Sequence, residues 1–397
     1  MLPLHDAGPP RPIGSLYVHV PFCRDRCTYC AFTTLRDVPA WHAPLLAGLI
    51  RRLSAWHPPG PLRTLYLGGG TPALLDPDAL GALLECARSC CAFDRQIEIT
   101  LECNPSNVNP ESVAAWAALG ITRLSLGVQT FDDHALAHLA RLHDGDDARQ
   151  ALAHIADHWP GTWSADLLVG WHGQTVAALL RDLDELLAFR PPHVSVYGLT
   201  VEPRTPLAVL QRLGRERVVS EALHPDLDAA WTGRLEAAGL QRYEASNYAR
   251  PGQASRHNLA YWANEDYLGL GPGAASSLHP RRWVERSDTR AWMDAALAGH
   301  GLRAACERLA PSQRLLESLA IGLRTRAGLA LGELDRRFGP GWRERLLPAA
   351  DPLLQSGLLV LDAALRLPPA ELPRADAVVR ALAAACLDDA PAAGAPA

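Results

Sequence analysis

The stretch Cys23-Arg24-Asp25-Arg26-Cys27-Thr28-Tyr29-Cys30 sets three thiols in a C-x3-C-x2-C spacing, just after the apolar run Leu16-Tyr17-Val18-His19-Val20. Thiols this close on one loop can converge on a single soft-metal centre. A structural zinc site draws four ligands, commonly as two separated pairs, whereas a [4Fe–4S] cluster presents four irons to thiolates. No fourth cysteine follows nearby, because the position two after Cys30 is Phe32. Three thiolates on a four-iron cluster leave one iron open, and an open metal position suits chemistry better than scaffolding. Free cysteine also fills cores as a small hydrophobe, but Arg24, Asp25 and Arg26 between the thiols speak against burial. The stretch reads as a cluster loop.

Residues 15–20 read as a short buried strand with this loop at its carboxyl end. Helical pattern covers 41–56, and the β-prone run Arg63-Thr64-Leu65-Tyr66-Leu67 leads straight into Gly68-Gly69-Gly70-Thr71-Pro72. A helix is expected over 76–91 with Asp76 as its N-cap. Strands follow at 96–103, 123–128, 165–169 and 193–197, with helical stretches at 110–119, 131–141, 146–158 and 176–189. Strand–helix alternation of this kind means an α/β protein with parallel pairing and right-handed crossovers. The sheet is doubly wound or a partial barrel, and in both cases function collects at the carboxyl ends of the strands. The cysteines, Gly68–Thr71, Glu102, Gln129 and Asp166 all fall at or near such ends.

The chain has 397 residues, more than one core usually fills, so a large domain plus a smaller one is expected. A net charge of −5 without a dense Lys/Arg block leaves no electrostatic footprint for nucleic acid. The first fourteen residues are proline-rich and lack an apolar h-region, and no run of 18 apolar residues spans a bilayer. Of the nine cysteines, the six beyond the triplet follow no repeating frame and, in a chain this long, read as reduced thiols of a cytoplasmic protein rather than a disulfide scaffold. Beyond Thr200 the pattern loosens into polar helical stretches. Residues 243–249 and 256–262 then pack aromatics beside amides and a histidine, and such density in a loop-like stretch suggests binding.

The cluster loop after a first strand resembles that of the radical S-adenosylmethionine (SAM) superfamily. Tyr17 to Cys23, Gly68 to Pro72, Leu101-Glu102-Cys103-Asn104-Pro105, Leu126-Gly127-Val128-Gln129-Thr130 and Tyr243 through Gly273 resemble the oxygen-independent coproporphyrinogen III oxidase group within it, and the haem-chaperone branch of that group above all. The resemblance runs over about residues 15–370. It implies a partial (β/α)6 barrel with a small C-terminal helical, winged-helix-like domain. It implies a [4Fe–4S] cluster on Cys23, Cys27 and Cys30, with SAM on the open iron and reductive cleavage to a 5′-deoxyadenosyl radical. Carried over residue by residue, SAM meets Tyr17, Gly69, Gly70, Thr71, Glu102, Gln129, Arg141 and Asp166. Arginine suits a carboxylate, Asp166 the ribose hydroxyls, and a glycine turn a close backbone approach.

His257 lies in His257-Asn258-Leu259-Ala260-Tyr261-Trp262, the His-Asn-x-x-Tyr-Trp motif of the chaperone branch. Imidazole is a common axial haem ligand, and Tyr261 with Trp262 could stack on a porphyrin face, so these three are the haem-binding expectation. Two departures stand out. The group's Gly-Leu-Pro-Gly-Gln-Thr is here Gly170-Trp171-His172-Gly173-Gln174-Thr175, and its Gly-Ala-His-Ser is Gly273-Ala274-Ala275-Ser276.

The resemblance thus implies a protein that binds haem and delivers it to apo-haemoproteins, in the cytoplasm, served by a reductant such as flavodoxin or ferredoxin and associating transiently with membrane haemoproteins. The alternatives are an oxygen-independent coproporphyrinogen III dehydrogenase and another radical SAM methyltransferase or haem-modifying enzyme. Phe32 in place of a fourth cysteine, the short N-terminal arm and the His257 motif favour the carrier. The expected organisation is a disordered arm at 1–14, the barrel at 15–220, an extension carrying the His257 motif at 221–303, the C-terminal domain at 304–385 and a disordered tail at 386–397.

Overall fold

The computed structural model describes residues 13–58, 60–214 and 224–387. Six parallel strands lie in sequence order: β1 (Ser15–Val20), β2 (Leu62–Gly69), β3 (Phe93–Cys103), β4 (Arg123–Gln129), β5 (Thr162–Val169) and β6 (His193–Gly198). The crossovers carry α1 (His42–Ser54), α2 (Pro77–Cys90), α3 (Pro110–Ala118), α4 (Asp133–His138), α5 (Gly145–His158) and α6 (Val176–Ala188). Because the strand order never reverses, right-handed crossovers leave the helices on one face and curl the other inward. A partial (β/α)6 barrel results, not a doubly wound sheet.

Sequence periodicity fills the two faces differently. Leu16, Val18, Leu65, Leu67, Leu101, Leu124, Leu126, Ala165 and Leu167 are buried in the main apolar core. The residues between them, among them Thr64, Tyr66, Thr100, Glu102, Ser125, Ser164 and Asp166, take the opposite face by the period-2 rule. Local signals hold up: Asp76 caps α2, its carboxylate accepting from the Ala79 N–H at 2.7 Å. The expected helix over 131–141 shortens to α4, because Ala140 takes a positive φ of 57° and turns the chain.

The sheet extends at both edges. After α7 (Pro206–Arg212) and α8 (His224–Ala237), the strands β7 (Gln241–Arg242) and β8 (Asn247–Ala249) run antiparallel beyond β6. The stretch 256–262 is not a loop: it forms helix α9 (Arg256–Trp262), capped by Ser255. β9 (Tyr267–Leu270) then adds in parallel to β1, followed by antiparallel β10 (Ala275–Leu278), β11 (Arg281–Glu285) and β12 (Arg303–Arg308), with α10 (Thr289–Leu297) between the last two.

A second apolar core joins α11 (Pro311–Gly322), α12 (Leu331–Phe338), α13 (Gly341–Gln355) and α14 (Ala375–Leu387) around Leu319, Phe338, Trp342 and Leu365. A small antiparallel sheet of β13 (Leu329–Ala330), β14 (Val360–Leu361) and β15 (Ala364–Arg366) completes a winged-helix-like unit. It docks beside α9, where Arg337 donates to the Ala263 carbonyl at 2.8 Å. Of the expected disordered ends, residues 1–12 and 388–397 lie outside the described residues. Ile13 and Gly14 are instead buried, with the Gly14 carbonyl accepting from Arg63 N–H at 2.7 Å, and α14 runs on through Leu387.

Candidate functional site

The cluster loop is pinned at both stems. Phe22 and Cys23 pair in parallel with Leu35 and Arg36, and the Asp37 N–H donates to the Cys23 carbonyl at 2.7 Å. Buried His19 donates from Nε2 to the Thr33 carbonyl at 2.7 Å, which leaves Nδ1 to accept from the Tyr17 hydroxyl at 2.9 Å. The middle of the loop is held by Thr28, whose N–H donates to Leu139 at 3.1 Å and whose carbonyl accepts from Leu207 at 2.9 Å. Tyr29 packs there against a small apolar group of Leu139, Leu168, Leu199 and Leu207.

Cys23, Cys27 and Cys30 are free, half-buried and line one cavity of about 500 Å³ at the carboxyl ends of the strands. Among the described residues no three His, Cys, Asp or Glu side chains close on a single metal ion. Burial pushes the Cys23 thiol up to about 12, so a cationic centre is needed to hold it as thiolate.

Arg141 ties this loop to the strand ends. Its Nη1 donates to Cys27 Sγ at 3.3 Å, and its Nη2 donates to Asn104 Oδ1 and to the Gly127 carbonyl at 2.9 Å. Asn104 in turn donates from Nδ2 to Thr71 Oγ1 at 2.9 Å. The sequence assigns Asn104 no role of its own; its place in the run Leu101-Glu102-Cys103-Asn104-Pro105 at a strand end is the signal that marks it.

Glu102 accepts from the Tyr66 hydroxyl at 2.7 Å on Oε1 and from the Gly69 N–H at 3.0 Å on Oε2. Burial raises its carboxyl to about 7, against the lowering effect of those two donors and with a further push from Asp166. The glycine turn is required by the protein itself. A Cβ on Gly69 (φ +111°) would stand 2.4 Å from the His19 ring, and one on Gly70 would stand 2.5 Å from the Phe22 carbonyl oxygen.

Gln129 ends β4 with a positive φ of 70°, after a register shift, and lines the cavity. Asp166, opposite Gly127 and Ser195 in register, accepts from Ser125 at 2.9 Å on Oδ2, while its buried Oδ1 meets no donor at hydrogen-bond geometry among the described residues. That open acceptor, lining the cavity, fits a ligand hydroxyl.

Two of the expected residues sit behind others of the set. Tyr17 is not among the residues lining the cavity: its hydroxyl donates to His19 Nδ1, and its ring lies 6.0 Å from that of Tyr66. His257 is only 1% exposed. Its backbone N–H donates to Glu98 at 2.9 Å, its Nδ1 is hydrogen-bonded to Thr64 Oγ1 at 2.7 Å, and its ring stacks on Tyr66 at 4.9 Å. Nε2 is buried without a partner, and burial lowers the imidazole to about 3, so the ring is neutral. Tyr261 meets the edge of His257 at 4.6 Å and of Tyr267 at 4.5 Å, and Trp262 is half-buried.

The two sequence departures lie off the cavity wall. Trp171 joins the apolar group under Tyr29, His172 is exposed, and Ala275 is exposed on β10. Phe32, by contrast, lines the cavity and is 70% exposed, and Leu142 lines it at 58% exposed.

Comparison with known proteins places this geometry. Residues 17–186 match the model of the Radical SAM superfamily, and residues 309–373 that of the HemN C-terminal domain. The heme chaperone HemW of a Synechocystis species is 35% identical over 328 residues, which cover 80% of this chain and 79% of that protein. The chain belongs to the HemW family of radical SAM proteins. The heme chaperone HemW of Mycobacterium tuberculosis is 36% identical over 362 residues, 88% of this chain and 89% of its own. The mouse mitochondrial radical S-adenosyl methionine domain-containing protein 1 is 36% identical over 378 residues, 88% and 82% of the two chains. The Escherichia coli coproporphyrinogen III oxidase HemN shares the fold, with a TM-score of 0.78 over 94% of this chain and 90% of its own at 19% identity. A radical SAM domain implies an iron–sulfur cluster and SAM. The site of this HemW-family chain fits both, through the three thiols, the unpartnered Asp166 oxygen and the cavity between them.

Proposed function

We propose that this chain is a haem chaperone that binds haem and hands it to an apo-haemoprotein, with a [4Fe–4S] cluster and SAM in the barrel cavity. The observation that carries the reading is the extent of identity to proteins named heme chaperone HemW, at 35–36% over most of the chain. Phe32 supports it, since the cluster loop has no thiol at that position.

In this reading Cys23, Cys27 and Cys30 hold the cluster, and Glu102, Arg141, Asp166, Gln129 and the Gly69–Thr71 turn receive SAM. When bound, cluster and SAM together supply one-electron reductive cleavage of a sulfonium. Glu102 offers a carboxylate aligned by Tyr66 and Gly69 to an ammonium group, and Asp166 Oδ1 a free acceptor to sugar hydroxyls. Arg141 sets a fixed positive charge beside Cys27. The exposed Arg24, Arg26 and Phe32 face of the loop is where a flavodoxin- or ferredoxin-type reductant would dock. Among the described residues no helix is long and apolar enough to cross a membrane.

The test is a haem titration of the anaerobically reconstituted protein, run beside a coproporphyrinogen turnover assay. Saturable haem binding, loss of that haem to an apo-haemoprotein and no turnover are expected. Decarboxylation of coproporphyrinogen without haem binding would replace the chaperone with the oxidase.

A further inference from the structure

The motif histidine lies against the machinery of the cavity rather than on a face that haem could approach. Thr64 and Tyr66 are two apart on β2 and share its inner face. The His257 imidazole bridges them, bonded to the Thr64 hydroxyl at 2.7 Å and stacked on the Tyr66 ring at 4.9 Å and 30°. Tyr66 carries the contact onward, its hydroxyl donating to Glu102 Oε1 at 2.7 Å, while Gly69 holds Oε2. Glu98 locks α9 in place by accepting from the N–H groups of His257 at 2.9 Å and Arg256 at 3.1 Å, with Arg123 3.7 Å from the same carboxylate. One face of the Tyr66 phenol is therefore set by a neutral, fully enclosed ring that does not itself line the cavity.

We infer that His257 is a positioning residue for Glu102, acting through Tyr66, and not an axial haem ligand. Removing the imidazole gives the Tyr66 ring room to swing, and a swung phenol no longer presents its O–H to Oε1. The carboxylate then loses one of its two fixed donors and its orientation in the cavity. This inference rests on the reading of Glu102 as a SAM contact.

The experiment measures SAM affinity by equilibrium dialysis, haem affinity by Soret titration, and iron content, for wild type, His257→Ala, Thr64→Val, Tyr66→Phe and the double variant His257→Ala/Tyr66→Phe. Thr64→Val is nearly isosteric and leaves α9 untouched, so it keeps the test open if His257→Ala folds poorly. His257→Ala and Thr64→Val should each weaken SAM binding about fivefold, the equivalent of losing one oriented hydrogen bond at ~1 kcal/mol. Iron content and haem affinity should stay at wild-type values. The double variant should bind SAM no more weakly than Tyr66→Phe alone, because both changes act on one hydrogen bond, and His257→Phe should restore part of the affinity by refilling the space. A fall in haem affinity or a shifted Soret band in His257→Ala, with SAM affinity within twofold of wild type, would overturn the inference. So would additive losses in the double variant. A wild-type protein that holds its cluster but does not bind SAM would instead sink the SAM reading itself, and this inference with it.

Discussion

Arg141 donates from Nη1 to the Sγ of Cys27 at 3.3 Å, and the same guanidinium braces Asn104 and the carbonyl of Gly127. Arg141→Ala should therefore keep its iron, held by three thiols, yet bind SAM about tenfold or more weakly, as expected for a charge-assisted contact of roughly 1.5–3 kcal/mol. Iron and sulfide analysis beside SAM dialysis checks this. Loss of the cluster in this variant would mean that Arg141 is a structural brace only.

Cys23→Ala, Cys27→Ala and Cys30→Ala should each abolish the sulfur-to-iron absorbance of the reconstituted protein. Cys86→Ala and Cys306→Ala should not, because neither lines the cavity. A full complement of iron in Cys27→Ala would refute the cluster assignment.

Gly70→Val should lose iron and SAM together. Its Cβ would overlap the Phe22 carbonyl, one residue before Cys23, so the strain falls on the loop that carries the thiols. Retained iron with only SAM lost would place the glycine requirement at the ligand instead of at the loop.

Glu102 sets a pH dependence whose sign is fixed by its raised carboxyl, near 7 in the fold against about 4.5 unperturbed. The folded state binds the proton more tightly than the unfolded chain, so between about pH 4.5 and 7 this group makes the ligand-free protein less stable as pH rises, levelling off above 7. SAM affinity should run the other way, rising with pH up to about 7 as the carboxylate forms. Glu102→Gln should flatten both profiles. Unfolding midpoints and dialysis across that range provide the check, and a wild-type SAM affinity that ignores pH would remove Glu102 from the ammonium contact.

What the chain determined by itself was local. The C-x3-C-x2-C spacing, the period-2 strands alternating with capped helices and the Gly69-Gly70 turn each arise within a few residues, where backbone geometry and capping act directly. From these the six strand–helix units, the cysteine loop and the gathering of polar residues at the strand ends were legible, with Phe32 in place of a fourth thiol, whereas the choice of a partial barrel over a doubly wound sheet came from the family resemblance and from the strand order. Only the tertiary structure decided which polar groups meet. His257 and Thr64 are 193 residues apart and Arg141 and Cys27 are 114 apart, so no local pattern reports their contact. Dense aromatics and amides at 256–262 suggest a loop-like binding stretch, yet Glu98 and Ser255 cap it into a helix whose histidine is buried against Thr64 and Tyr66. Tyr17 spends its hydroxyl on His19, whose other nitrogen is committed to the cluster loop. Burial and hydrogen-bond competition among distant strands, not residue type, assigned those roles.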